Sequence, residues 1–212
     1  MNNSNASEKT KDMVLIGFMA AIICIMGPFS ISLPFTAVPI SLTNLAVYFV
    51  IYIVGTRRAV ISYVVYLLLG VCGLPVFSHF SSGIQKLAGP TGGYLIGFIL
   101  MAIVSGFFID RWYDNPLIAF IGMWIGKVFS AALGASWYAF SQGLTFQAAV
   151  LGGVVPFLAG DLVKTIIVAL IGPMLRKRLA TGGFVSYKTY SKNRMDKRND
   201  TELVKAINEM EA

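Results

Sequence analysis

The sequence predicts an all-α polytopic membrane protein with six transmembrane helices and both termini in the cytoplasm. Of its 212 residues, 56% are hydrophobic and only 13% are charged, and the mean hydropathy is +0.72. This is more apolar surface than one soluble core needs. A helix rises about 1.5 Å per residue, so a run of roughly 20 apolar residues crosses about 30 Å of hydrocarbon.

Six apolar runs mark the expected spans. They cover residues 13–33, 42–55, 59–71, 94–109, 116–138 and 151–175. The first run lacks a cleavage site with small residues, which indicates a retained helix rather than a signal peptide. Residues 1–12 are polar and predict a disordered cytosolic tail. Residues 13–178 then form one six-helix transmembrane domain, and residues 179–212 form a basic cytosolic tail.

The placement of the basic residues gives the expected orientation. There are 17 Lys and Arg against 10 Asp and Glu, an excess that would suggest nucleic acid as the partner of a soluble protein. With six spans, however, the basic residues outside the spans fall on one face, with the single exception of Lys86. They are Lys9, Lys11, Arg57, Arg58, Arg111 and nine more after Leu175. By the positive-inside rule this face is cytoplasmic, so we expect a plasma-membrane protein surrounded by lipid, with no nucleic-acid partner.

Several kinds of chemistry are excluded by what the chain lacks. Cys24 and Cys72 lie in apolar runs, which predicts buried small hydrophobes rather than a disulfide or metal site. His79 is the one histidine, so histidine catalysis and a multi-histidine metal site are not expected. The stretch 122–128 has the wrong glycine spacing for a phosphate-binding loop. We therefore expect no enzyme activity, no cofactor and no ATP hydrolysis by this chain itself.

Charged residues inside the spans are costly and need a reason. Asp161 and Lys164 are three residues apart in the last span, so they share one face of a helix. They form either an internal salt bridge that fixes packing or a polar floor for a ligand. Lys127 lies in the middle of the fifth span, where a structural and a functional role are equally open.

A glycine-rich segment opens the fourth span. Thr91 is expected to cap this helix, while Gly89, Gly92 and Gly93 would let a ligand approach the free backbone amides before Tyr94. Close helix packing is the alternative explanation for these glycines.

The loop 33–41, which includes Phe35, is unusually apolar for a segment facing water. It would suit a lid over a largely apolar ligand.

The first helix carries small residues four apart, Gly17 with Ala21 and Ala20 with Cys24. This spacing allows close approach of another helix, either within the bundle or from a separate partner protein.

Four segments together resemble one known family. They are residues 34–42, 66–77, 89–98 and 156–164, and they resemble the BioY family, the biotin-specific S components of energy-coupling factor (ECF) transporters. The likeness covers most of residues 15–175. It implies a six-helix, substrate-binding membrane subunit that captures biotin at the outer face. It also implies two kinds of partner, a transmembrane coupling subunit and two cytosolic ATPase subunits.

The residue patterns and the resemblance together give the expected site. The expected binding residues are Asp161, Lys164, Gly89, Thr91, Gly92, Gly93, Tyr94, Phe35, Asn44 and Lys86, and the expected docking residues are Gly17, Ala20, Ala21 and Cys24. The chain departs from the family at two places. Where the family commonly has Thr-Leu-Gln after Val-Pro, this chain has residues 41–44, so the polar role of that glutamine either passes to Asn44 or lapses. Lys86 lies in a loop that is often small and glycine-rich.

Two other functions compete with this one. A stand-alone facilitator or ion-coupled transporter of another small solute would not depend on ATPase subunits. An intramembrane enzyme using Asp161 or Lys164 as an acid or base would convert its substrate rather than release it intact.

Overall fold

The computed structural model describes residues 3–112 and 114–181. Its described helices are α1 (Asn3–Met26), α2 (Thr43–Val54), α3 (Thr56–Val71), α4 (Ile84–Ala88), α5 (Gly92–Arg111), α6 (Pro116–Gln142), α7 (Phe146–Gly153) and α8 (Leu158–Thr181). One short antiparallel hairpin pairs β1 (Ser30–Ile31) with β2 (Ile40–Ser41). The prediction of a helical fold is confirmed. The chain up to Lys177 forms one compact unit, and the predicted tail lies outside the described residues from position 182 onward.

The first helix differs from the prediction at both ends. It begins at Asn3, so residues 3–12 are helical where the sequence predicts a disordered tail, and Arg58 of α3 donates to Asp12 at 2.6 Å. It ends at Met26 rather than near residue 33. A side chain at Gly27 would lie 2.5 Å from the Val76 carbonyl oxygen, and the proline after it leads the chain into the hairpin instead.

Three described helical segments are long and apolar enough to cross a membrane. They are Gly92–Arg111, Pro116–Gln142 and Phe146–Leu179. The last one joins α7 and α8 across a 3-10 turn at Val155–Phe157, and it extends beyond both ends of the predicted sixth span. Helix α2 is apolar but only 12 residues long. A count of six spans with both termini inside therefore stays a prediction.

Helices α5 and α6 pack closely because α6 carries a ridge of small residues. Gly122, Gly126, Ser130 and Gly134 are four apart and buried. An added side chain at Gly126 would meet Ser105 of α5, and one at Gly134 would meet the Tyr94 ring. This spacing lets two helix backbones approach, and it brings the start of α5 next to α6, α7 and the cavity described below.

Buried tyrosines connect the helices around that cavity. The Tyr48 hydroxyl of α2 donates to the Met123 carbonyl of α6 at 3.2 Å. The Tyr94 hydroxyl of α5 donates to the Gly153 carbonyl at the end of α7 at 2.8 Å. A buried hydroxyl needs such a partner, so these bonds fix α2, α5 and α7 in position.

An ionic cluster joins α3, α5 and α8 at the end of the bundle that carries most of the described basic residues. The Asp110 carboxylate accepts hydrogen bonds from the Thr56 backbone N–H at 2.9 Å and from the Thr56 hydroxyl at 2.6 Å. Arg176 of α8 lies 3.1 Å from the other Asp110 oxygen. The cluster anchors one end of α8, whose other half carries Asp161 and Lys164.

Candidate functional site

A cavity opens between the hairpin, α2, and the ends of α5, α7 and α8. Its apolar walls include Val38, Ile40, Phe77, Leu95, Phe98 and Phe157. Its polar residues include Asn44, Thr91, Asp161 and three lysines, at positions 86, 127 and 164. Ligand pockets commonly combine mostly apolar walls with a few placed polar groups, and this cavity has that character.

Asp161 is the centre of the polar part. It is only 3% exposed, and the Asn44 amide of α2 donates to its Oδ1 at 2.8 Å. The Lys164 ammonium lies 3.4 Å from the same oxygen, and the Lys127 ammonium of α6 lies 2.5 Å from Oδ2. Lys127 and Lys164 therefore pair with different oxygens of the same carboxylate. A buried carboxylate is tolerated only with such partners.

Lys164 is held on several sides. Its ammonium donates to the Ser41 carbonyl at 2.8 Å and to the Asn44 Oδ1 at 3.3 Å. The hairpin, α2 and α8 therefore meet at one ammonium group. Of the described residues that line the cavity, Asp161 is the only acid, so three lysines face one carboxylate. The site can accept an N–H and can donate to a carbonyl or an anion.

The glycine-rich segment divides into cavity and packing residues. Thr91 and Tyr94 line the cavity, whereas a side chain at Gly92 would meet the Leu87 backbone and one at Gly93 would meet Trp137. Gly89 uses its carbonyl to accept from the Trp137 indole N–H at 2.9 Å. Gly89, Gly92 and Gly93 are absent from the described lining, and close packing accounts for Gly92 and Gly93.

Thr91 precedes α5 as expected, but its side chain is not the helix cap. Within the described chain its hydroxyl makes no capping hydrogen bond, and the buried Oγ1 has no hydrogen-bond partner there. A buried hydroxyl without a partner is costly. It is therefore available to a ligand in the cavity.

Lys86 reaches the cavity from α4, a short helix that the sequence analysis does not predict. Its side chain is half-buried. Burial lowers the pKa of the Lys86 ammonium below its ordinary value, because a low-dielectric surrounding disfavours the charged form. A bound anion would reverse this effect.

The predicted lid loop contributes its second half to the wall. Residues Val38 and Ile40 line the cavity, but Phe35 is 66% exposed and is not part of the described lining. The other half of the hairpin contacts the turn at Ser78–Phe80, where the His79 Nε2 lies 2.9 Å from the Ser32 hydroxyl. His79 and Phe80 both have positive φ, which is uncommon for residues other than glycine.

The small residues of α1 face two directions. Gly17 and Ala21 are exposed, and a side chain added at Gly17 would meet nothing within 4 Å in the described chain. Ala20 is 2% exposed, and Cys24 packs against the buried core. The bundle therefore covers Ala20, while Cys24 is only partly buried, and a docking role for this pair stays a prediction.

The cavity lining is wider than the predicted binding set. Among the residues outside that set, Lys127 and Ser41 line the cavity and contact Asp161 and Lys164 directly. A lysine in the middle of an apolar helix is itself a signal of a buried polar partner. Ser41 contributes its backbone carbonyl. Every residue has this group, so the residue type gives no sign of the role.

Comparisons with known proteins agree with this architecture. The BioY family matches residues 1–181. The biotin transporter BioY2 of Lactococcus lactis is 33% identical over 82% of this chain and 94% of its own length. The biotin transporter BioY of Thermotoga maritima is 36% identical over 79% of this chain and 96% of its own. The crystal structure of the S-component for biotin from an ECF-type ABC transporter superposes with a TM-score of 0.74 and 29% identity, covering 84% of this chain and 95% of that one. The chain belongs to the BioY family.

Proposed function

We propose that this chain is the biotin-binding S component of an ECF-type importer, which captures biotin at the outer face of the plasma membrane. The observation that carries the proposal is the Asp161 cluster at one part of a cavity with apolar walls. Biotin has the matching chemistry, with two N–H donors and a carbonyl on its ureido ring, an apolar thiophane ring and chain, and a terminal carboxylate. Biotin is here the transported ligand and not a cofactor.

The charges favour one orientation of biotin. The ureido ring binds at Asp161, whose Oδ2 accepts a ring N–H, while the valerate chain lies along the apolar wall. The carboxylate then binds near Lys86 and the Thr91 hydroxyl, which lacks a partner in the described chain. The reverse orientation would leave the ureido N–H groups facing Lys86, where the described lining offers no carboxylate to accept them.

We propose six membrane crossings, made by α1, α2, α3, α5, α6 and the combined α7–α8 segment, with both termini in the cytoplasm. The described basic residues support this orientation. Arg57 and Arg58 begin α3, Arg111 ends α5, and Arg176 lies near the end of α8. The short helices α2 and α3 would tilt or thin the bilayer locally.

Energy for uptake would come from partner subunits, because the chain has no phosphate-binding loop. We propose that a transmembrane coupling subunit docks on α1 at Gly17 and Ala21, and that two cytosolic ATPase subunits drive it. Two exposed small residues one turn apart let a partner helix reach backbone contact. The relatives named above are transporters, which agrees with the prediction that this chain is not an enzyme.

Two measurements test this function. Equilibrium binding to the purified chain should show saturable binding of biotin, with riboflavin and thiamine as controls that do not compete. In proteoliposomes, uptake should require ATP together with the coupling and ATPase subunits. Uptake that is unchanged by adding those subunits would instead support a stand-alone facilitator.

A further inference from the structure

We propose that Lys127 is a specificity-determining residue of the site, and that its ammonium and the Asp161 Oδ2 together recognise the N–H and C=O edge of a neutral cyclic urea. This inference rests on the proposed function, because it assumes that the ureido ring of biotin binds at Asp161. It assigns to Lys127 a contact with the ligand rather than a role in packing alone.

The two oxygens of Asp161 have different surroundings. Oδ1 accepts from the Asn44 amide at 2.8 Å and lies 3.4 Å from Lys164. In the described chain Oδ2 has one polar partner, the Lys127 ammonium. A carboxylate oxygen accepts more than one hydrogen bond, so Oδ2 retains capacity for a ligand N–H.

The two lysines also differ in how many partners in the protein their ammonium groups already have. Lys164 already donates to the Ser41 carbonyl and to Asn44. Among the described residues, the ion-pair partner of Lys127 is Asp161 alone. An ammonium carries three donors, so Lys127 keeps N–H bonds for a ligand, and both it and Asp161 line the cavity.

A cyclic urea fits this pair by its shape. In a five-membered ring the N–H and the C=O lie side by side on one edge, one as donor and the other as acceptor. The Lys127 ammonium and the Asp161 Oδ2 are adjacent at 2.5 Å and offer the opposite sequence of acceptor and donor. The carboxylate therefore accepts the ring N–H while the ammonium donates to the ring carbonyl.

The same cation gives the site its selectivity. With Lys127 and Lys164 beside Asp161, this part of the cavity has one more positive than negative charge. A neutral urea is accepted there, but a ring that carries its own positive charge is repelled by the excess cation. Removing Lys127 would leave one lysine against one carboxylate, and the repulsion would fall.

The test compares biotin with 2-iminobiotin, in which a protonated guanidinium replaces the neutral urea at neutral pH. Dissociation constants for both ligands are measured with the wild type, Lys127→Met, Lys127→Gln and Lys86→Met. We expect Lys127→Met to weaken biotin at least about tenfold, the lower end for a hydrogen bond to a charged group. The ratio of the iminobiotin to the biotin dissociation constant should fall by at least about the same factor.

The other two variants separate charge, hydrogen bonding and position. Lys127→Gln keeps an N–H donor without the charge, so it should retain more biotin affinity than Lys127→Met while the ratio still falls. Lys86→Met is the matched control at a second cavity lysine. It should weaken both ligands by similar factors, because both carry the same carboxylate.

The outcomes distinguish this inference from the proposed function. If Lys127→Met and Lys127→Gln weaken both ligands equally, Lys127 only supports the fold of the site and the inference is overturned. If the wild type binds no biotin, the proposed function fails instead. Should Lys127→Met not fold, the ratio measured with Lys127→Gln decides alone.

Discussion

The Asn44 amide of α2 donates to the Asp161 carboxylate of α8 at 2.8 Å, although the two residues are 117 positions apart in the sequence. The same Asn44 side chain accepts from Lys164 through its oxygen. One amide therefore orients both charged groups of the last helix. The first turns of α2 and α8 are thereby joined at the candidate site.

Replacing Asn44 should weaken biotin binding without unfolding the chain. Asn44→Leu removes a donor to Asp161 and an acceptor for Lys164, and we expect a loss of about 1 to 3 kcal/mol. Titration calorimetry measures it. Ser130→Ala is the control, because the buried Ser130 hydroxyl has no hydrogen-bond partner in the described chain. Equal affinity in both variants would remove Asn44 from the site.

Biotin affinity should fall at alkaline pH because of Lys86. Burial lowers the Lys86 pKa below the ordinary 10.5, so the ammonium is lost at a lower pH than for an exposed lysine. A bound carboxylate favours the charged form and raises that pKa. Binding should therefore take up protons at alkaline pH and weaken as pH rises through the pKa of free Lys86.

The check on this pH dependence is the variant Lys86→Met. Its affinity should be lower at neutral pH, and the alkaline decline attributed to Lys86 should disappear. Dissociation constants measured between about pH 7 and pH 10 would reveal the difference. If the dissociation constant depends on pH in the same way in the wild type and the variant, the biotin carboxylate does not bind at Lys86.

The two faces of α1 should respond differently to a bulky side chain. Ala21→Trp and Gly17→Trp lie on the exposed face, so they should retain biotin binding in detergent but lose co-purification with the coupling subunit. Ala20→Trp is the inward control, and it should destabilise the bundle because Ala20 is buried. Loss of biotin binding in the outward variants would refute the docking assignment.

The buried ionic cluster should matter more for stability than a neighbouring exposed pair. Asp110→Leu leaves the buried Arg176 without its carboxylate and removes the acceptor of Thr56. We expect a loss of about 1 to 3 kcal/mol in unfolding free energy, below the range for a fully buried pair because Asp110 is partly exposed. Asp114→Asn breaks the exposed pair with Lys177 and should change stability by less than about 1 kcal/mol. Thermal unfolding compares them, and similar losses would contradict the account.

The parts of the site that the sequence predicts are those with a local signal. Asp161 and Lys164 stand out because a charge in an apolar run is costly wherever the chain folds. The link to Asn44 depends on tertiary packing and has no local signal. Gly92 and Gly93 illustrate a different limit, since a glycine-rich helix start looks the same whether a ligand or another helix approaches it.

The boundaries of the spans are also predicted best where the sequence carries a local signal. The apolar runs that match α5 and α6 are long, and α6 is interrupted by the single charge of Lys127, so their positions are predicted within a few residues. The first span ends earlier than predicted because Gly27 and the proline after it end the helix, and residues 29–33 alternate apolar side chains with Ser30 and Ser32. A high average hydropathy indicates that a segment is buried in lipid or protein. It does not show whether the segment is a helix or a strand such as β1 (Ser30–Ile31).

The affinity of the Asp161→Asn variant for biotin is the most direct test of the central claim, that the Asp161 cluster binds the ureido ring. The substitution preserves the shape of the side chain. It replaces the charged carboxylate, whose oxygen accepts the ring N–H, by a neutral amide. Equilibrium binding to the purified protein should show a loss of about 1.5 to 3 kcal/mol, or roughly 10- to 150-fold in the dissociation constant. Asp114→Asn, outside the cavity, should bind like the wild type. Wild-type affinity in Asp161→Asn would contradict the account and leave the cluster as a packing contact only.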